Sequence, residues 1–338
     1  MRSYHATSGA GLEGLVLREH DEPVPQRGEA LVRVRANSLN FRELSVLRGT
    51  YPLPVKRDVV MGADGAGEVV ALGPDVTQVR VGDRVAAAMF PRWIDGPIAW
   101  ENGAPPPQIG GSLDGMMTEY IALSEDALVR LPDHLSFEEG ATLPCAAVTA
   151  WNSLTGARRL QAGDTVLTLG SGSVSLFALQ LARLFGARVI ATTSSDAKAE
   201  RLRALGAGTA VNYRTTPDWH LVVRQLTGGR GVDQVIEVGG TTLEQSIRAT
   251  TIDGLVNFVG RLGPGPMTMD SSVLYTSVVT VRVVFAGSRA QFEAMNRAIA
   301  VAGMRPVIDR VFPFDEVPAA FRYFETMQPF GKVVISYA

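Results

Sequence analysis

The sequence predicts an α/β chain in two parts, a turn-rich β-barrel followed by a doubly wound parallel sheet. Three observations carry that expectation. Short alternating strands broken by turn residues fill residues 1–90. One βαβ unit with a glycine turn spans Asp164–Ala187. From there to about Gly287, strand and helix patterns alternate. A length of 338 residues accommodates two domains of ordinary size.

In order, Glu29–Ala36 alternates apolar and polar residues, as a half-buried strand does. Gly65–Gly73 is a second strand, and Gly82–Ala86 a third, after a Val81-Gly82-Asp83 turn. Polar residues crowd the connections Asn37–Glu43 and Arg48–Pro52. Phe90–Gly111 is Pro-rich and aromatic, a long loop that is either a substrate-pocket wall or a structural flap. Gly115–Leu123 returns to strand. Ser136 is an N-cap and Glu139 completes its capping box; Pro144 interrupts the helix, which resumes at Thr149.

The βαβ unit begins with a buried strand, Val166–Leu169. A turn at Gly170-Ser171-Gly172 leads into a helix, Val174–Phe185, with Val174, Phe177, Ala178, Leu181 and Phe185 on one face. A helix start of this kind aims free N–H groups and the positive dipole end at an anion, here a dinucleotide pyrophosphate. Gly170, Gly172, Ser173 and Val174 would meet it. Measured against G-x-G-x-x-G, Ser175 stands where the third glycine would be, a position requiring a small residue for helix–strand packing. The following strands are Val189–Thr192, Ala210–Asn212, Val235–Glu237, Gly254–Val259 and Val278–Phe285. The helices between them are Lys198–Leu205, Leu221–Thr227 and Leu243–Ile252. Then come a helix at Arg289–Ala302, another at Val317–Thr326 and a strand at Lys332–Ser336, expected to fold back onto the first domain.

A net charge of −2 offers no basic field for nucleic acid. The single cysteine, Cys145, excludes an internal disulfide and fits a reducing compartment. No apolar run is long enough to span a membrane, and the first residues lack a signal-peptide core, so a cytoplasmic enzyme is expected.

Gly65-Ala66-Gly67-Glu68-Val69-Val70, Val81–Val85 and Gly163–Gly172 together resemble signatures of the medium-chain dehydrogenase/reductase superfamily. The resemblance implies a GroES-like catalytic domain over 1–146, completed by 287–338, and a Rossmann cofactor domain over 147–286. Zinc alcohol dehydrogenases of that superfamily hold a catalytic zinc with Cys, His and Cys. Here Asn40 or its neighbours, with no thiol, stand at the first place and Gly62-Ala63-Asp64 at the second, and Cys145 survives at the third. No metal is therefore expected. Asn40-Phe41-Arg42-Glu43 with Arg48-Gly49-Thr50-Tyr51-Pro52 is similar to the zinc-independent quinone oxidoreductases and enoyl reductases, with Glu43 in place of their usual Asp.

An NAD enzyme carries an acid at the end of the second strand. Thr193 stands there, followed by Ser194, Ser195 and Lys198, with Asp196 as the next helix's N-cap; hydroxyls and a cation favour the 2′-phosphate of NADP. By resemblance, Tyr213 lies over that phosphate, Thr149 lies beside the nicotinamide, and Gly331-Lys332 is a cofactor contact. Gly239-Gly240 and Val259-Gly260 end strands on the cofactor side. Asn40 is either a donor to a substrate carbonyl or a turn residue holding backbone. Tyr51 is either a proton donor, as in the enoyl reductases, or a pocket wall. Three readings follow: a zinc-independent NADPH-dependent reductase of quinones, enones or enoyl thioesters; an alcohol dehydrogenase-like enzyme with a residual zinc site; or a non-catalytic NADPH binder. The uncharged β-prone stretch Thr276–Phe285 is expected to pair with a second copy in a homodimer.

Overall fold

The computed structural model describes residues 1–100, 103–260 and 269–337. Glu101 and Asn102, within the long loop read from the sequence, lie outside the described residues. The chain divides into two compact units, Met1–Val148 with Ala286–Ala338, and Thr149–Phe285.

Along the chain, the first unit opens with β1 (Arg2–Ala6), β2 (Leu15–Glu19) and β3 (Glu29–Ser38). Helix α1 (Phe41–Leu47), β4 (Val59–Val60), β5 (Asp64–Leu72) and β6 (Arg84–Ala87) follow. After them come β7 (Tyr120–Ser124), β8 (Leu128–Arg130) and α2 (Phe137–Gly140), which carries the expected Ser136–Glu139 capping box. Pro144 lies in a π-helical turn, Leu143–Ala147, before α3 (Val148–Thr155).

In the second unit, β9 (Thr165–Leu169), α4 (Ser173–Leu184), β10 (Arg188–Thr193), α5 (Asp196–Ala204) and β11 (Thr209–Asn212) form one half. Helix α6 (Trp219–Leu226), β12 (Val232–Glu237), α7 (Leu243–Ala249), β13 (Thr250–Phe258), α8 (Ser271–Ser277) and β14 (Thr280–Val283) form the other. The chain then returns to the first unit with α9 (Arg289–Ala302), β15 (Ile308–Pro313), α10 (Val317–Glu325) and β16 (Lys332–Ser336).

The first unit's larger sheet has the order β15-β16-β3-β5-β6-β8, with β7 also on β3; a smaller sheet has the order β2-β1-β4. The period-two pattern of β3 holds: Ala30, Val32, Val34 and Ala36 are buried, while Arg33 and Arg35 lie partly in solvent. Between β3 and β5 the backbones run so close that a Cβ at Gly67 would sit 2.2 Å from the Arg33 carbonyl oxygen. That approach accounts for the glycine in the Gly-Ala-Gly run. Strand β16, from near the other end of the sequence, lies between β15 and β3.

The second unit is one parallel sheet of order β11-β10-β9-β12-β13-β14. Its two halves grow outward from β9, so the order reverses between β9 and β12, where a doubly wound sheet binds its ligand. Strand β9 is buried throughout, and α4 packs on the sheet through Leu176, Phe177, Leu179 and Leu181. Burying each of those side chains contributes about 1.5–3 kcal/mol.

Four sequence expectations change. The connection after Asn40 is a helix, α1. Helix α7 stops at Ala249, because Thr250–Ile252 already belong to β13. The N-cap of α5 is Ser195, whose Oγ accepts the Lys198 N–H; Asp196 is the first helical residue. The stretch Thr276–Phe285 is not one strand: α8 takes its start, and Val278, in the left-handed region at φ 49°, breaks the extended run before β14.

Candidate active site: a glycine turn and a buried polar cluster

In the second unit, the strand-to-helix turn has the form an anion requires. Gly170 has φ 76°, which a side chain disfavours, and its N–H is held by Thr192 O at 2.9 Å. A Cβ added to Gly172 would meet nothing within 4 Å among the described residues. No side chain caps α4 at Gly172, and Ser173 and Val174 are partly exposed there. This fits a dinucleotide phosphate on both counts, room and unspent N–H groups. Ser175 does more than fill the third glycine's place: its Oγ donates to the Leu169 carbonyl at 2.5 Å and ties helix to strand.

Around that turn, Ser194 is partly exposed and Tyr213 exposed, as a ligand contact requires, and Lys198 is partly exposed on the first turn of α5. Thr193 departs from expectation. It is fully buried, and its Oγ1 has no partner among the described residues, so the strand end presents Ser194 and Ser195 outward instead. Gly239, Val259 and Gly260 are partly exposed at their strand ends, and Thr149 is buried at the start of α3. Sequence reasoning missed Glu237. Its buried carboxylate accepts the N–H groups of Gly239 and Gly240 at 2.7 and 2.9 Å, and the Thr242 and Ser246 hydroxyls. The acid therefore sets the shape of the glycine loop after β12.

In the first unit, Asp64 is the centre of a buried polar cluster. Its Oδ2 accepts from Ser38 Oγ at 2.6 Å, Asn40 Nδ2 at 2.9 Å and Lys332 Nζ at 2.9 Å, and its Oδ1 from the Cys145 N–H at 2.8 Å. Lys332 donates also to Leu39 O and to Asn40 Oδ1, at 2.9 and 2.8 Å. Asp64 and Lys332 are 0% and 1% exposed. Two residues singled out from the sequence meet here. The Lys332 ammonium, expected as a cofactor contact, has three partners inside the unit. Asn40, expected as a carbonyl donor or a turn residue, donates one amide hydrogen to Asp64 and accepts from Lys332. The family-based reading of Lys332 had no way to see that β16 carries it inward.

Next to this cluster lies a second. Arg42 and Glu43, both buried, bond each other at 2.8 Å, and Glu43 also accepts the backbone N–H groups of Asn40 and Ala63. Arg42 donates to Gly110 O at 2.8 Å, and its guanidinium lies 4.8 Å from the centre of the Tyr51 ring. The Tyr51 hydroxyl donates to Gln108 Oε1 at 2.6 Å. Burial pushes the Tyr51 phenol up, and the Arg42 cation works against that shift. The loop thus enters the site through Gln108 and Gly110, which the sequence reading had not singled out.

At the positions where zinc relatives carry ligands, the chemistry is an amide (Asn40), a methyl (Ala63) beside a saturated carboxylate (Asp64), and the Cys145 thiol. Burial pushes that thiol up to about 12, with Asp64 and Glu43 adding to the shift. Among the described residues no three His, Cys, Asp or Glu side chains gather as a metal ion needs. No helix of the described residues is long and apolar enough to cross a membrane.

Comparison with known proteins agrees with this architecture. A family model described as the alcohol dehydrogenase GroES-like domain matches residues 26–133, and one described as zinc-binding dehydrogenase matches residues 173–301. A zinc-type alcohol dehydrogenase-like protein of Schizosaccharomyces pombe is 41% identical over 329 residues, covering 94% of each chain. A quinone oxidoreductase of Pseudomonas aeruginosa is 34% identical over 260 residues, 76% of this chain and 72% of its own. A solved NAD-dependent alcohol dehydrogenase superposes with a TM-score of 0.90 at 33% identity, covering 100% of both chains.

Proposed function

The chain belongs to the medium-chain dehydrogenase/reductase superfamily, and on that premise we propose that it is a metal-independent NADPH-dependent reductase of quinones or of α,β-unsaturated carbonyl and enoyl substrates. It is an oxidoreductase of the alcohol dehydrogenase and quinone oxidoreductase type, using a nicotinamide dinucleotide on small molecules. The observation that carries the finer reading is the pairing of Asp64 with Lys332. A catalytic zinc needs about three protein ligands with deprotonated donors. Here the carboxylate is filled by four hydrogen bonds and neutralised by an ammonium, and burial works against the thiolate form of Cys145. That donor set does not fit zinc.

Gly170, Gly172, Ser173 and Val174 would hold the pyrophosphate. Ser194, Lys198 and Tyr213 would hold the 2′-phosphate, and Thr149, Gly239, Val259 and Gly260 the remainder. When bound, the reduced nicotinamide supplies a hydride. Tyr51 then gives its phenolic proton to the carbon left with the charge. NADPH is favoured over NADH because no carboxylate occupies positions 193–195 at the end of β10.

A panel of quinones, enones, aldehydes, alcohols and enoyl thioesters, assayed spectrophotometrically with both cofactors, tests this. Quinones or enones should oxidise NADPH at a higher kcat/KM than NADH, without loss on chelation and with zinc far below one per chain. The name of the Schizosaccharomyces relative favours a zinc alcohol dehydrogenase instead; stoichiometric zinc lost together with alcohol oxidation would establish that reading.

A homodimer is part of the proposal. Among the described residues, strand β14 is the edge of the second unit's sheet, with Val281 and Val283 exposed. An open edge with apolar side chains invites a second copy. Light scattering at micromolar concentration should give twice the chain mass, and a monomeric mass would remove the dimer.

A further inference from the structure

Gln108 has no exposed surface, and its backbone is pinned on both sides: its N–H donates to Ser112 Oγ at 3.0 Å and its carbonyl accepts from Leu113 at 3.0 Å. Its side-chain carbonyl accepts from Tyr51 at 2.6 Å and from Arg42 Nη2 at 3.4 Å. Its amide nitrogen, Nε2, is buried and has no partner among the described residues. Buried amide hydrogens without an acceptor are costly, and few native structures keep them without a reason. The fold also holds this side chain closely, since a Cβ at Gly111 would lie 2.7 Å from Gln108 Cγ.

We propose that Gln108 is the positioning residue of Tyr51 and serves the phenol in both of its protonation states. With Tyr51 protonated, the Gln108 carbonyl accepts the phenolic hydrogen and sets the hydroxyl's direction. During turnover the new C–H bond forms at the substrate carbon as the Tyr51 O–H bond breaks, and the electron pair stays on the phenolic oxygen. That oxygen, now an anion, needs donors. Arg42 Nε, 3.4 Å away, is one. The second is the amide of Gln108, turned over about its last torsion so that its unspent hydrogens face the oxygen. A proton from water then restores the phenol, and the amide turns back. This inference rests on the reading of Tyr51 as the proton donor.

Two variants separate the two services. Gln108→Met keeps the volume and offers neither acceptor nor donor of comparable strength. Gln108→Glu, as a carboxylate, accepts but cannot donate. Both should lower kcat by about tenfold or more, the worth of one hydrogen bond to a charged group, with KM changed less. In both, the solvent deuterium isotope effect on kcat should increase, because proton transfer becomes the slow step. A purely structural role would leave that isotope effect where it is. Full activity in Gln108→Glu would overturn the proposal, since donation would then be unnecessary. So would an unchanged isotope effect in both variants. Tyr51→Phe distinguishes the failures: an active Tyr51→Phe removes the reading of Tyr51 and this inference together. An inactive Tyr51→Phe beside fully active Gln108 variants removes Gln108 alone.

Discussion

Replacing Lys332 by methionine is expected to destabilise the first unit by about 3–5 kcal/mol, the usual cost of removing one partner of a buried ion pair. The reason lies in what remains. Asp64 would keep Ser38, Asn40 and the Cys145 N–H, but those are neutral donors around a fully buried carboxylate. An uncompensated charge in that setting is far more costly than the pair was. Asn40 would lose the donor to its Oδ1 at the same time. Pairing Lys332→Met with Asp64→Asn removes the charge and should recover much of the loss. Urea unfolding followed by circular dichroism measures both. A midpoint shift in Lys332→Met equivalent to less than about 1 kcal/mol would mean that the ammonium is not what balances Asp64.

Tyr51→Phe is expected to lower kcat by about 10²–10⁴-fold, the range for a positioned general acid, while KM moves little. The ring and its contact with Arg42 survive the change, so substrate binding and stability are largely spared. What is lost is the Tyr51 hydroxyl, held by Gln108, that is proposed to give up a proton there. Steady-state kinetics on the best enone of the panel checks it. A variant retaining near-native kcat would leave Tyr51 as pocket wall.

Much of the architecture was legible because it rests on local patterns. Alternation along Glu29–Ala36, the buried run of β9, the glycine turn and the boundaries of α9 and β16 are all readable from neighbouring residues. The site was less legible, since its decisive contacts join distant segments. Lys332 reaches Asp64 across 268 positions, and Gln108 reaches Tyr51 across 57. No spacing rule connects them. Asn40 and Tyr51 stood out in the sequence as candidate catalytic residues, but only the fold shows that one lies between Asp64 and Lys332 and the other is held by a loop residue. The burial of Thr193 was hidden for a related reason. Its place at the strand end is plain, yet burial depends on which way the last residue of β10 turns. Val278 shows the limit of propensity: a β-prone stretch was broken by a single left-handed residue.

Strand β16 has a consequence for biosynthesis. The second unit is one continuous segment, Thr149–Phe285, and can close once it has left the ribosome. The first unit cannot, because the Ala36–Ser38 end of β3, beyond its pairing with β7 at Glu29–Arg33, has no partner on that edge until β16 arrives. For the whole interval Asp64 is synthesised but lacks its ammonium. The segment made before the second unit is therefore finished after it, and translation past Lys332 is what completes it.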